Sequence, residues 1–198
     1  MEHLKELLRQ ESTFIPSDAL LDRLLQLGHI IRATSGTILT EAGQIDTNVY
    51  IVKKGVARLS DFNGNRDRTF AFGMPGTLFY NKHSFVKNLP SYYRIDLWGD
   101  CEIVCISRND ILNLINDNHE AAIWMLRMSM EELFYQEYKN SGVYNGDANE
   151  RFLSLIHQRP ELIKCVPQKI LASYLNISPE YFSRLKKANG ITTGKPAK

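Results

Sequence analysis

A chain of 198 residues with 43% hydrophobic side chains holds one large or two small domains and has enough apolar mass for a sizeable core. Its 24 Lys and Arg against 22 Asp and Glu leave a net charge of +2, too mild to announce nucleic-acid binding through bulk electrostatics. Cys101, Cys105 and Cys165 are an odd number without CxxC spacing, which argues against a disulfide framework or zinc ribbon and for buried thiols; with no signal peptide and no apolar run of about 18 residues, a soluble cytoplasmic protein with no membrane partner is expected.

Residues 2–13 read as a short helix with Leu4, Leu7 and Leu8 on one side. Ser17 caps a second, in which Leu20, Leu21, Leu24 and Leu25 recur at helical spacing and Gly28 closes the element. Both should cover one side of the next region. From about Arg32 to Ser107 the pattern changes to short β-rich runs: Thr37–Thr40, Val49–Val52, Val56–Leu59, Thr69–Phe72, Tyr93–Leu97 and Glu102–Ile106. Glycines fall at or near their boundaries, and Asn63-Gly64 is a hairpin signal. Short strands at this spacing predict an antiparallel sandwich or barrel.

Asn109 to Asn140 contains no Gly or Pro and reads as one long helix. Ile123, Leu126, Met130 and Leu133 are spaced 3-4-3, the seam of a two-helix coiled coil, with Trp124, Phe134, Tyr135 and Tyr138 adding apolar surface; a stripe facing the protein's own core is the other reading. Ser141–Asp147 has the Gly, Asn and Ser content of a hinge. Ala148–His157 resumes helix, with Phe152, Leu155 and Ile156 on one face, and Arg159-Pro160 ends it.

Val166–Gly190 carries the most information. Ile170, Leu171, Tyr174 and Leu175 line one side of a first helix, and Ala172 leaves room for a close crossing. Asn176 suits a turn needing positive φ; Ser178 suits the N-cap and Pro179 the first position of a second helix. Phe182 and Leu185 turn inward, while Glu180, Ser183, Arg184 and Lys187 share the outward face. With Lys169 on the first helix, these residues are a candidate DNA-binding surface, on which Arg184 can fork onto guanine and the lysines can meet phosphates; a two-helix hairpin with a solvated charged face is the other reading.

This stretch, through Ala172, Leu175, Ser178, Glu180, Ser183 and Arg184, resembles the helix-turn-helix of the Crp/Fnr family of bacterial transcription regulators. The β-rich region resembles the same family's cyclic-nucleotide-binding β-roll: EAGQIDTNVYIVKKG from Glu41 to Gly55 is similar to its early glycine-punctuated stretch, Gly76 opens the ligand cassette, and CEIVCIS from Cys101 is similar to its closing strand. The resemblance implies an α+β protein. An antiparallel β-roll (a jelly roll) with flanking helices is followed by a dimerisation helix at about 109–140 and a helix-turn-helix unit. With the hinge composition of Ser141–Asp147, the resemblance implies a domain boundary near residue 143, between residues 1–142 and 143–198. It also implies double-stranded DNA, a second copy of the chain and RNA polymerase as partners, with an unidentified small-molecule effector. The N-terminal cysteines of the family's iron–sulfur sensors are missing, and only Ile191–Lys198 remains where a two-stranded wing would stand, leaving Lys195 and Lys198 for phosphates.

In family members that sense cyclic AMP, helix N–H groups and an arginine bind the cyclic phosphate and a glutamate takes the ribose hydroxyl. Here the glutamate position is Asn81 and the arginine-serine pair falls on Ser91-Tyr92, which argues against cyclic AMP; no cofactor is expected. Lys82, His83 and Arg94 either supply positive charge for another anion or are ordinary loop and strand residues, and Phe79, Tyr80, Tyr92 and Tyr93 either line a cavity or fill it. Two other functions compete. One is a protein-docking module. The other is a cupin-like metalloenzyme, opposed by five scattered histidines, no HxH pair in the β region, and no phosphate loop, GxSxG or HExxH motif.

Overall fold

A computed structural model of the chain describes residues 1–63, 66–140 and 146–191. Gly64 of the expected hairpin turn, the 142/143 boundary, most of the 141–147 hinge and the basic tail lie outside the described residues, as does the Tyr138 side chain.

Two long strands organise the sheet. β3 (Val49–Asn63) and β6 (Arg94–Ile106) pair antiparallel along most of their length, with register shifts on both sides of Lys54. At one end β1 (His29–Ala33) pairs with Cys101–Cys105 of β6 and β5 (Leu78–Tyr80) pairs with Val49–Ile51 of β3. At the other end β2 (Ile38–Thr40) pairs with β6 and β4 (Arg66–Gly73) pairs with β3 from Ala57 onward. The Val49–Val52 and Val56–Leu59 runs are therefore one strand, and so are Tyr93–Leu97 and Glu102–Ile106; the glycines between them are bends inside strands. Gly55 has φ +85°, and a Cβ there would lie 2.3 Å from Cys101 Sγ, so only glycine fits the bend.

The two halves of the sheet enclose an inner core of Tyr50, Val52, Ala57, Phe79, Ile95, Leu97, Cys101, Ile103 and Cys105. The opposite face of the first half, with Val49, Ile51, Val104 and Ile106, is covered by helices whose leucines recur at helical spacing. These are α1 (Glu2–Gln10), α2 (Asp18–Gln26), α4 (Arg108–Asp117) and α5 (His119–Asn140). Ser17 caps α2, its Oγ accepting the Leu20 N–H at 3.2 Å. Gly28 is not the αL cap of α2: a Cβ there would meet Val104 Cγ1 at 2.4 Å, so close packing on β6 is its role.

The long helix expected from Asn109 onward is two helices. Asn118 adopts extended backbone (φ −135°, ψ 107°), and its Oδ1 accepts the Ala121 N–H at 3.0 Å, which starts α5 afresh. The short α3 (Lys82–Lys87) follows β5. In the last described stretch, α6 (Ala148–Gln158) opens with a capping box between Asp147 and Glu150, and Pro160 begins α7 (Pro160–Cys165) besides ending α6. α8 (Gln168–Tyr174) and α9 (Pro179–Ala188) complete the described chain. The last four helices share a core with Val56, Phe72 and Trp98 on the second half of the sheet. Among the described residues no helix is long and apolar enough to cross a membrane.

Candidate nucleic-acid interface and sensor pocket

The turn between α8 and α9 forms as its residue types require. Asn176 has φ +54°, and the Ile177 N–H donates back to Ala172 O at 3.0 Å. Ser178 Oγ accepts the Tyr181 N–H at 3.1 Å and Pro179 is the first residue of α9. Leu171, Ala172, Leu175, Phe182 and Leu185 are buried, and Phe182 meets Phe152 of α6 edge-on at 5.3 Å. With that face consumed, Ser178, Pro179, Glu180, Ser183, Arg184 and Lys187 are left exposed together on α9, and Lys169 is exposed on α8. Lys186 departs from the basic surface: it is buried, and burial pushes its ammonium below the usual lysine range.

The outward face is internally ordered. Hydrogen bonds from Glu180's own backbone N–H and from the Ser178 hydroxyl, then the Arg184 charge, hold the Glu180 carboxyl below the usual carboxylate range. The Arg184 guanidinium lies over the Tyr181 ring at 5.1 Å.

α8 docks on the sheet domain at the edge strand β4. Ser173 Oγ donates to Asp67 O at 2.9 Å and accepts the Thr69 N–H at 3.0 Å. Tyr174 packs on Phe72 with ring centroids 5.1 Å apart, and Arg159 donates to Phe72 O at 3.3 Å. Phe72 and Asp96 both pair with Arg58 across the sheet. The buried Arg58 guanidinium donates to Asp96 at 2.9 Å, Ser60 at 3.0 Å and Asp67 at 3.0 Å, while Trp98 Nε1 donates to the second Asp96 oxygen at 2.5 Å. Sequence reasoning missed this network and Ser173, although Arg58 within VARLS and Asp96 within RIDLW are charges placed in apolar strands, the available signal.

The region around Asn81 and Ser91 is closed on itself. Asn81 and Ser91 are both buried and bonded to each other, Nδ2 donating to Oγ. Asn81 Oδ1 also accepts the Ser84 N–H at 3.0 Å, capping α3, and Ser91 Oγ accepts the Tyr93 N–H at 3.1 Å. Phe79 is buried and stacks on Tyr50 at 5.4 Å. Burial pushes the Tyr93 phenol up to about 12 and the Cys105 thiol up to about 11, as a dry interior requires. The cationic candidates are engaged elsewhere. Exposed Lys82 pairs with Glu132 on α5. His83 Nδ1 bonds Pro90 O at 2.7 Å and its ring stacks on exposed Tyr92 at 4.2 Å. Arg94 pairs with Glu41 at 2.9 Å on the side of β6 opposite the inner-core residue Ile95. The structure thus bonds Asn81 to Ser91, while Lys82, His83 and Arg94 bond Glu132, Pro90 and Glu41.

On α5, Ala121 and Trp124 are buried in the core of the molecule, whereas Leu126, Met130 and Leu133 of the seam are exposed, Leu133 at 67%, and Ile123 is half-buried at its start. Phe134 and Tyr135 extend the exposed apolar surface.

Residues 30–118 match the family model described as the cyclic nucleotide-binding domain. No curated protein matches the chain in sequence. Among solved structures, the chain is similar to the catabolite activator protein of Thermus thermophilus, at 21% identity over 88% of this chain and 84% of that one, with a TM-score of 0.57. It is also similar to the c-di-GMP responsive global regulator CLP of Xanthomonas campestris, at 18% identity over 88% and 92% of the two chains with a TM-score of 0.67. FixK2 of Bradyrhizobium japonicum is 17% identical over 86% and 89%, with a TM-score of 0.68. Residues 30–118 thus resemble a cyclic nucleotide-binding domain, and the chain shares the fold of these three solved proteins.

Proposed function

We propose that the chain is a homodimeric, sequence-specific DNA-binding transcription regulator, with the sheet domain as sensor and α8–α9 as reader. The observation that carries this reading is the α9 surface: Glu180, Ser183, Arg184 and Lys187 stand exposed on a capped helix whose opposite face is buried. Such a helix enters the major groove, where Arg184 takes guanine O6 and N7, Glu180 accepts from a cytosine amino group, and Lys169 and Lys187 meet phosphates. The exposed Leu126, Met130 and Leu133 seam on α5 supports pairing with a second copy, which sets two α9 helices about 34 Å apart on successive grooves. RNA polymerase and an unidentified effector complete the partners, in the cytoplasm; no step of this reading is enzymatic.

The sensor does not take cyclic AMP in this reading. Asn81 and Ser91 stand where the family's charged ligand contacts would be; they bond each other, and Asn81 spends its oxygen on α3 while Ser91 is engaged by the Tyr93 backbone. Titration calorimetry of the purified protein with cyclic AMP is expected to give no binding isotherm; micromolar affinity would overturn this part.

The reader is tested by selecting binding sites from a randomised duplex pool. Arg184→Ala should cost about 1–3 kcal/mol of discrimination at one guanine, whereas Lys187→Ala should weaken all sequences alike and flatten the salt dependence. Full operator affinity in Arg184→Ala would sink the assignment.

A further inference from the structure

Tyr181 is neither on the outward face that reads bases nor in the buried face that builds the domain core. It is half-buried, its N–H is bonded to the Ser178 cap, and its ring lies beneath the Arg184 guanidinium at 5.1 Å. The ring packs against the core shared by α6–α9, so its position is fixed by the fold. A long arginine on an exposed helix otherwise samples many rotamers, and ordering it on contact with a base costs conformational entropy. An aromatic face beneath the guanidinium removes part of that cost. It engages the flat of the group and leaves the N–H edge for an acceptor. The Glu180 carboxylate, held in the first turn, attracts the same guanidinium from one turn away.

We infer that Tyr181 is a specificity-positioning residue: its ring pre-orders Arg184 for forked recognition of a guanine edge, and the hydroxyl is dispensable for this. The inference rests on the proposed DNA-reading function.

The test uses the full chain and the duplex that the wild-type protein enriches from a randomised pool. Affinity is measured for that duplex and for the same duplex with the Arg184-dependent guanine replaced. Tyr181→Phe keeps the aromatic face, and Tyr181→Leu keeps apolar bulk without it. Wild type and Tyr181→Phe should discriminate equally, and Tyr181→Leu should discriminate about 2- to 5-fold less, the range of an exposed cation–π contact. Affinity for unrelated duplex should stay the same. In an Arg184→Ala background, Tyr181→Leu should change discrimination no further. Equal discrimination by Tyr181→Leu and wild type overturns the inference and leaves the DNA reading standing, as does an equal loss in Tyr181→Phe and Tyr181→Leu. A pool from which wild type enriches no sequence overturns the reading itself. Should circular dichroism show Tyr181→Leu unfolded, Tyr181→Met replaces it with the same expected outcomes.

Discussion

The sheet-domain interior and the outer face of α9 both gather polar side chains, and they satisfy them in opposite ways. In the sheet domain Asn81 bonds Ser91 and caps α3, and Arg58 is divided among Asp96, Ser60 and Asp67. On α9 the capping bonds stay within the first turn, and Arg184 rests on a ring face that takes none of its N–H donors. A group satisfied within its own fold has little left for a ligand. One ordered only by its own helix keeps its recognition edge for a partner. Substitutions in the first region should therefore move stability, and substitutions in the second should move DNA affinity.

The largest expected effect is at Asp96. Asp96→Ala leaves Arg58 buried with only hydroxyls and the half-exposed Asp67, and removing one partner of a buried ion pair costs about 3–5 kcal/mol. For a chain of this size each kcal/mol shifts Tm by about 2–4 °C, so scanning calorimetry should show a fall on the order of 10 °C. Sequence discrimination by the molecules that remain folded should not change. Loss of discrimination at full stability would place Asp96 in the readout and break the division. Ser91→Ala comes next. It strands the Asn81 amide and the Tyr93 N–H, at a cost of about 1–3 kcal/mol. If urea unfolding showed no loss while the variant gained affinity for a cyclic nucleotide, the closed pocket would be a latch and not a structural plug.

The two regions also differ in how plainly the sequence announces them. Asn176, Ser178 and Pro179 sit in local positions with fixed backbone demands, so the α8–α9 turn and its outward face are readable from spacing alone. An antiparallel sandwich or barrel is legible from the short β runs, and the family resemblance narrows it to a jelly roll, yet Gly55 and Gly99 look like strand ends when they are bends within β3 and β6, because a local breaker signal does not reveal that pairing resumes beyond it. Asn118 is the hidden punctuation in the long helix: it is a common capping residue, but a Gly- and Pro-free stretch drowns its signal. Ser173 and Tyr181 are silent for another reason. Their roles come from contacts with Thr69 and Asp67 about a hundred residues away, or from a ring lying under a neighbour, and neither leaves a periodic trace.

Ser173 joins the two regions, so the smallest expected effect also bears on how they communicate. β4 is an edge strand, and its Thr69 N–H and Asp67 carbonyl are spanned by the single Ser173 hydroxyl. Ser173→Ala takes the acceptor from the N–H of Thr69, a buried residue, and the donor from the Asp67 carbonyl, and should cost about 1 kcal/mol, the low end for an unsatisfied buried group. The readout is local: amide exchange at Thr69 should accelerate about fivefold, while amides in the β3–β6 ladder keep their protection. Phe72, Tyr174 and Arg159 still hold α8 against the sheet in this variant, so the docking itself should survive. Faster exchange across β4 and α8 together would mean that one hydroxyl fastens α8 to the sheet, and the boundary between a closed region and an open one would then lie at Ser173. Unchanged exchange at Thr69 would mean that α8 does not cover this edge in solution.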